Sequence, residues 1–82
     1  MITCDKHDHI EIACMYRIEV TLKLKAHNEI SGTAIDTRLN THREECLVLS
    51  IGNGEQQEVA LSDISVMQAT TKNPHFDRVD IV

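Results

Sequence analysis

The chain has 82 residues, 13 of them acidic against 8 lysines and arginines, with a formal net charge of −5 at pH 7 and Tyr16 and Phe76 as its aromatic side chains. That length supports one modest hydrophobic core, and hence a single domain over residues 1–82. The acid excess and the scarcity of aromatic platforms speak against a module that grips phosphates or stacks bases. No apolar run is long enough to cross a bilayer, so a cytoplasmic monomer with protein partners is expected, with no membrane, no direct nucleic-acid contact and no cofactor.

The densest chemistry lies at the start, in C-D-K-H-D-H-I-E-I-A-C-M from Cys4 to Met15. Asp5 reads as a helix N-cap with Asp8 three residues on, and carboxylates there suit the positive end of a helix dipole. If residues 6–15 are helical, Ile10, Ala13 and Cys14 share one face, with Asp8, Glu11, Ile12 and Met15 on the other. Residues 9–14 also alternate, with Ile10, Ile12 and Cys14 on one side, as a strand would. The pattern leaves both conformations open.

Residues 16–25 alternate strictly, with Tyr16, Ile18, Val20, Leu22 and Leu24 facing one way and charged or polar residues the other, which predicts a half-buried strand. A turn at 26–28 leads to a second strand at 29–37, where Gly32 predicts a sharp bend. Residues 38–44 read as a polar loop. The stretch E-C-L-V-L-S-I at 45–51 is apolar at nearly every position and predicts a central strand. Gly52-Asn53-Gly54 is a hairpin signal, returning as a strand at 55–61. A tight turn at Ser62-Asp63, a strand at 64–70, a polar connection at 72–77 and a closing strand at 78–82 complete the chain. After Pro74, Phe76 is expected to pack down and anchor the last strand. The sum is a mainly β protein of five to six antiparallel strands with one short N-terminal α-helix, closing as a small barrel or two-layer sandwich.

Several chemistries fit parts of the opening stretch. Cys4, His7, His9 and Cys14 are zinc-ligand types, but C-x2-H-x-H-x4-C matches no familiar finger or ribbon, so no metal is expected. The three cysteines, with Cys46, follow no disulfide framework and read as reduced thiols. A reactive thiolate would need Cys14 beside His7 or His42, and no motif places them together. Asp8 and Glu11 are neighbours on a face rather than two acids lining a cleft, so acid–base catalysis is not expected. The loop with Arg38, His42 and Arg43 is mildly basic, is offset by Glu44 and Glu45, and suits a secondary protein contact at Arg43.

The opening I-T-C-D-K-H-D-H-I-E-I-A-C is followed in order by V-T-L-K-L-K, E-E-C-L-V-L and E-V-A-L-S-D-I. Together these resemble the Rof (YaeO) family of Rho-binding antiterminators. The resemblance spans residues 2–82 and rests on the order of several individually weak motifs. It implies an Sm-like β-barrel or sandwich with an N-terminal helix. It also implies binding to the N-terminal RNA-binding domain of the Rho transcription terminator, which keeps RNA from loading at its primary site and inhibits termination without catalysis. By that resemblance Asp8 and Glu11 occupy the positions of acidic contact residues, with Asp5 a nearby acid or the helix cap. His7 departs from the tyrosine of better-known members. Carboxylates on a helix suit the arginines and lysines of an RNA site, and Ile12 and Met15 on the same side would supply an apolar centre. The alternative implied by the fold is an Sm-like RNA-binding module, against which the net acidity stands.

Overall fold

The computed structural model describes residues 4–70, 72–74 and 76–81, with residues 4–7 described by their backbone alone. The opening stretch is helical: α1 runs over Cys4–Met15. Asp5 therefore lies inside the first turn by its backbone rather than at the cap. Ile10 and Ala13 are fully buried, and the half-buried Cys14 packs against the same core.

The helix ends in a Schellman motif. The Ile18 N–H donates to the Ala13 carbonyl at 2.9 Å and the Arg17 N–H to the Cys14 carbonyl at 3.3 Å, while Arg17 takes a left-handed φ of 54°. Ala13 and Ile18, the pair this motif brings together, are both buried. The motif also corrects the start of the first strand. Tyr16 continues the alternation in sequence, yet it sits in the helix-terminating turn and is 56% exposed.

Six strands follow: β1 Glu19–Leu24, β2 Glu29–Leu39, β3 Glu45–Gly52, β4 Glu55–Ala60, β5 Ile64–Ala69 and β6 Arg78–Asp80, with a 3-10 turn at Leu61–Asp63 before β5. They form one antiparallel sheet in the order β4-β3-β2-β1-β5-β6. The mainly β fold expected from the sequence is what forms, as one continuous sheet with β4 and β6 at its edges. The helix packs chiefly on β2 and touches β6. It thus covers the apolar side of the sheet, meeting Val20, Leu22, Ala34, Leu47, Leu49, Met67 and Val79 in one core with Phe76 and Ile81. The His9 ring stands edge-on to Phe76 at 6.0 Å, tying the helix to the segment that leads into β6.

The central position of β3 is confirmed by its burial on both faces. Leu47 and Leu49 join the core, and Cys46 and Val48 are buried on the opposite side. There Arg38 on β2 reaches over β3 to Glu58 on β4, Nε to Oε2 at 3.6 Å. The expected bend at Gly32 resolves differently. The strand runs through Gly32, where a Cβ would lie 2.9 Å from the Ser50 carbonyl oxygen, so glycine serves a close approach to β3. The irregularity falls between Ala34 and Asp36, where Ile35 is an extra residue in the ladder. That bulge reverses the facing of everything after it.

Candidate functional site

At 3.6 residues per turn, Asp8, Glu11 and Met15 fall within about 60° of the helix circumference. All three are exposed, and Met15 is 70% accessible, the most exposed large apolar side chain among the described residues. Ile12 lies at the margin of this arc, half-buried and packed against the core, so the apolar contribution at the surface comes chiefly from Met15. Asp5 and His7 belong to the first turns of α1 by their backbone, and their side chains lie outside the described atoms.

The sequence reading missed the groove beside this arc. A depression of about 360 Å³ opens between α1 and β2, lined by Glu11, Cys14, Met15, Ile35, Asp36 and Thr37. It exists because the bulge at Ile35 lets consecutive residues of β2 reach the helix. Asp36 brings a second carboxylate to the groove from a strand that the sequence marks only as scaffold. Its side chain accepts a hydrogen bond from the Thr37 N–H at 2.8 Å, which holds it along the strand.

Cys14 lines the same groove, where its surroundings disfavour ionisation of the thiol. Burial first, then the Asp36 carboxylate, push its thiol up from 9.0 to about 11, against the opposing pull of Arg17. Cys46 is also pushed up, by burial and then by Glu58 and Glu44. The alternation of β3 turns Cys46 away from the core that the helix covers, so Cys14 and Cys46 do not converge. Of the other Cys/His residues, His9 is directed to Phe76, while the side chains of Cys4 and His7 lie outside the described atoms. Among the described residues no three His, Cys, Asp or Glu side chains gather as metal ligands.

Arg43 stands in a separately built loop. β2 passes from the groove residues to the loop at 40–44 within about 10 Å of extended chain. Asn40 organises that loop. Its side-chain oxygen accepts the N–H groups of His42 at 2.8 Å and Glu44 at 2.9 Å, and its amide donates to Glu44 Oε1 at 3.2 Å. This network holds Arg43 at a φ of 61° with its side chain exposed, and Leu39 beside the loop is 65% accessible. His42 is exposed at the same tip, so the structure does not bring it to Cys14 as a base. The basic loop and the acidic arc are thus carried by neighbouring elements and joined through β2.

Comparison with known proteins gives a consistent family. The chain is 33% identical over 64 residues to Protein rof of Escherichia coli (strain K12), covering 78% of this chain and 74% of that protein, and matches Protein rof of Shigella flexneri to the same extent. Among solved structures it is similar to YaeO bound to magnesium from Vibrio cholerae O395, with a TM-score of 0.84 and 32% identity over 92% of this chain and 96% of that one. A family model, Modulator of Rho-dependent transcription termination, matches residues 1–81, and the chain belongs to this ROF family.

Proposed function

We propose that this chain binds the Rho transcription terminator through the exposed arc of α1, blocks RNA loading at Rho's primary site, and so inhibits Rho-dependent termination. The observation that carries the reading is the alignment of Asp8, Glu11 and Met15 on one exposed strip, flanked by a groove with Asp36 on its far wall. A site that holds RNA phosphates must present arginines and lysines. Carboxylates spaced along a rigid helix compete for those same groups with charge-assisted hydrogen bonds, while Met15 excludes water at one end of the strip. Asp5 and His7, in the first turns of the helix by their backbone, are further contacts in this reading, with Ile12 at the margin of the arc and Arg43 as a second contact from the loop. The partner is a protein, and this chain acts without touching RNA at this face, in the cytoplasm and without catalysis. The Vibrio cholerae relative is described with magnesium bound; no step of the proposal runs through a metal.

Calorimetry with purified Rho tests the reading, with the wild type beside the double variant Asp8→Lys, Glu11→Lys. Replacing two attractive charges by repulsive ones at a close interface is expected to weaken binding by at least about a hundredfold. The wild-type affinity is expected to fall as salt rises, and RNA to compete. Circular dichroism establishes that the variant is folded. A folded variant that binds Rho as well as the wild type would move the site off this helix.

A further inference from the structure

A second groove among the described residues lies at the far end of β1 from α1, with a lysine and a histidine beside a glutamate in its lining. It is about 630 Å³ and is lined by Lys23, Leu24, His27, Asn28, Glu29, Ser65 and Val66. That volume falls in the range of about 300–1,000 Å³ typical of small-ligand sites. Two local irregularities shape it. The pairing of β1 with β5 slips between Lys23 and Leu24, leaving Ser65 as an extra residue in the ladder. His27 is held at a φ of 69° in the turn, its N–H donating to the Leu24 carbonyl at 3.0 Å while the Leu24 N–H donates to the Asn28 carbonyl at 2.9 Å. Bulges and left-handed non-glycine residues both concentrate where a fold presents side chains to a ligand.

The charges at this end are left uncommitted. Ion pairs among the described residues join Arg38 to Glu58 and Arg78 to Asp80, and none involves Lys23, Lys25 or His27. All three are exposed around one turn of a chain whose net charge is −5. Glu29 is the cross-strand neighbour of Lys23.

We propose that this groove binds a phosphorylated sugar, with Lys23 and His27 holding the phosphate. The Lys23 ammonium and the His27 ring N–H supply the charged and directional donors that phosphate oxygens take. The Asn28 amide and the Ser65 hydroxyl add neutral donors. The Glu29 carboxylate is an acceptor and repels phosphate, so its place in the lining selects a ligand that also brings hydroxyl donors. A ribose phosphate has both. Tyr, Trp and Phe are absent from the lining, so a base is not stacked there. The shared chemistry is a ribose phosphate, whose source is either a free nucleotide or the backbone of an RNA strand.

This site is independent of the Rho reading, because it lies on other residues and needs no partner protein. The test is an NMR titration of the isotopically labelled full chain with ribose 5-phosphate, inorganic phosphate and a short single-stranded RNA. Saturable amide shifts at Lys23, His27 and Ser65 are expected with ribose 5-phosphate, with inorganic phosphate binding more weakly. The variant Lys23→Gln, His27→Asn is expected to bind roughly tenfold or more weakly, the loss that follows removal of one charged and one directional donor. Asparagine tolerates the left-handed turn, and circular dichroism checks the fold. RNA shifting the same amides at lower concentration identifies a strand as the source; ribose 5-phosphate matching or surpassing it identifies a free nucleotide. Absence of saturation with both ribose 5-phosphate and RNA, an unchanged titration in the folded variant, or ribose 5-phosphate binding no tighter than inorganic phosphate each overturns the proposal.

Discussion

Arg17 sits where the backbone motif, rather than the residue's own preference, ends an element. It fills the left-handed C′ position of the helix-ending motif, which glycine occupies at no steric cost. A non-glycine residue there costs about 1–2 kcal/mol, partly offset by about 0.3–1 kcal/mol from a cation near the helix C-terminus. Arg17→Gly is therefore expected to raise stability by about 0.5–1 kcal/mol, read as a higher urea midpoint at unchanged slope. Cys14 gives a second prediction. Its folded thiol holds its proton to about pH 11, against 9.0 for a free one. Below pH 9 both states are protonated and the thiol leaves stability unchanged; above it the unfolded chain ionises first, so its contribution falls as pH rises toward 11. Urea midpoints across that window are expected to decline more steeply for the wild type than for Cys14→Ala. The core-facing side of Cys14 was legible in the helical pattern, whereas the turn at Arg17 was not. Tyr16 and Ile18 continue the strand alternation so well that the helix-ending turn between them leaves no trace in the pattern.

At the scale of elements, alternation carried most of the information. Strand pairs with one wet face declared themselves, and the unbroken apolar run of β3 announced burial on both sides. Gly52-Asn53-Gly54 fixed its hairpin because the turn needs left-handed residues, which all three adopt. The opening helix was ambiguous because Ile10, Ile12 and Cys14 fit a strand as readily as Ile10, Ala13 and Cys14 fit a helix. What sequence could not disclose was pairing. Bulges at Ile35 and Ser65 arise from register between strands distant in the chain, so the groove bringing Asp36 to Glu11 and the groove at Lys23 were both invisible. Gly32 was visible but its reason was not: glycine there admits β3 at close range rather than bending the strand. Gly32→Ala would set a methyl 2.9 Å from the Ser50 carbonyl oxygen and 3.1 Å from Leu49 Cβ. Destabilisation of about 1–3 kcal/mol is expected, a fall of about 4–8 °C in melting temperature per kcal/mol.

The whole molecule divides its surface by charge. The helix arc with Asp8 and Glu11 offers carboxylates on one side of the core, and Lys23 and Lys25 offer cations beside His27 at the far end of β1. The family resemblance found the first because its residues lie in one short stretch. The second is assembled from β1, its turn and β5, and needed the sheet order to be seen. That order also leaves β4 with an open edge, where Glu55, Gln56, Gln57 and Glu58 are all exposed. Were two copies to join antiparallel along this edge about Glu58, the two Glu58 carboxylates would lie directly opposite, and pairing about Glu55 would oppose the two Glu55 carboxylates. Like charges therefore weigh against those two registers of sheet-to-sheet growth without a covering element. Sedimentation is expected to show single copies at moderate salt, and Glu55→Gln, Glu58→Gln to self-associate at protein concentrations where the wild type does not.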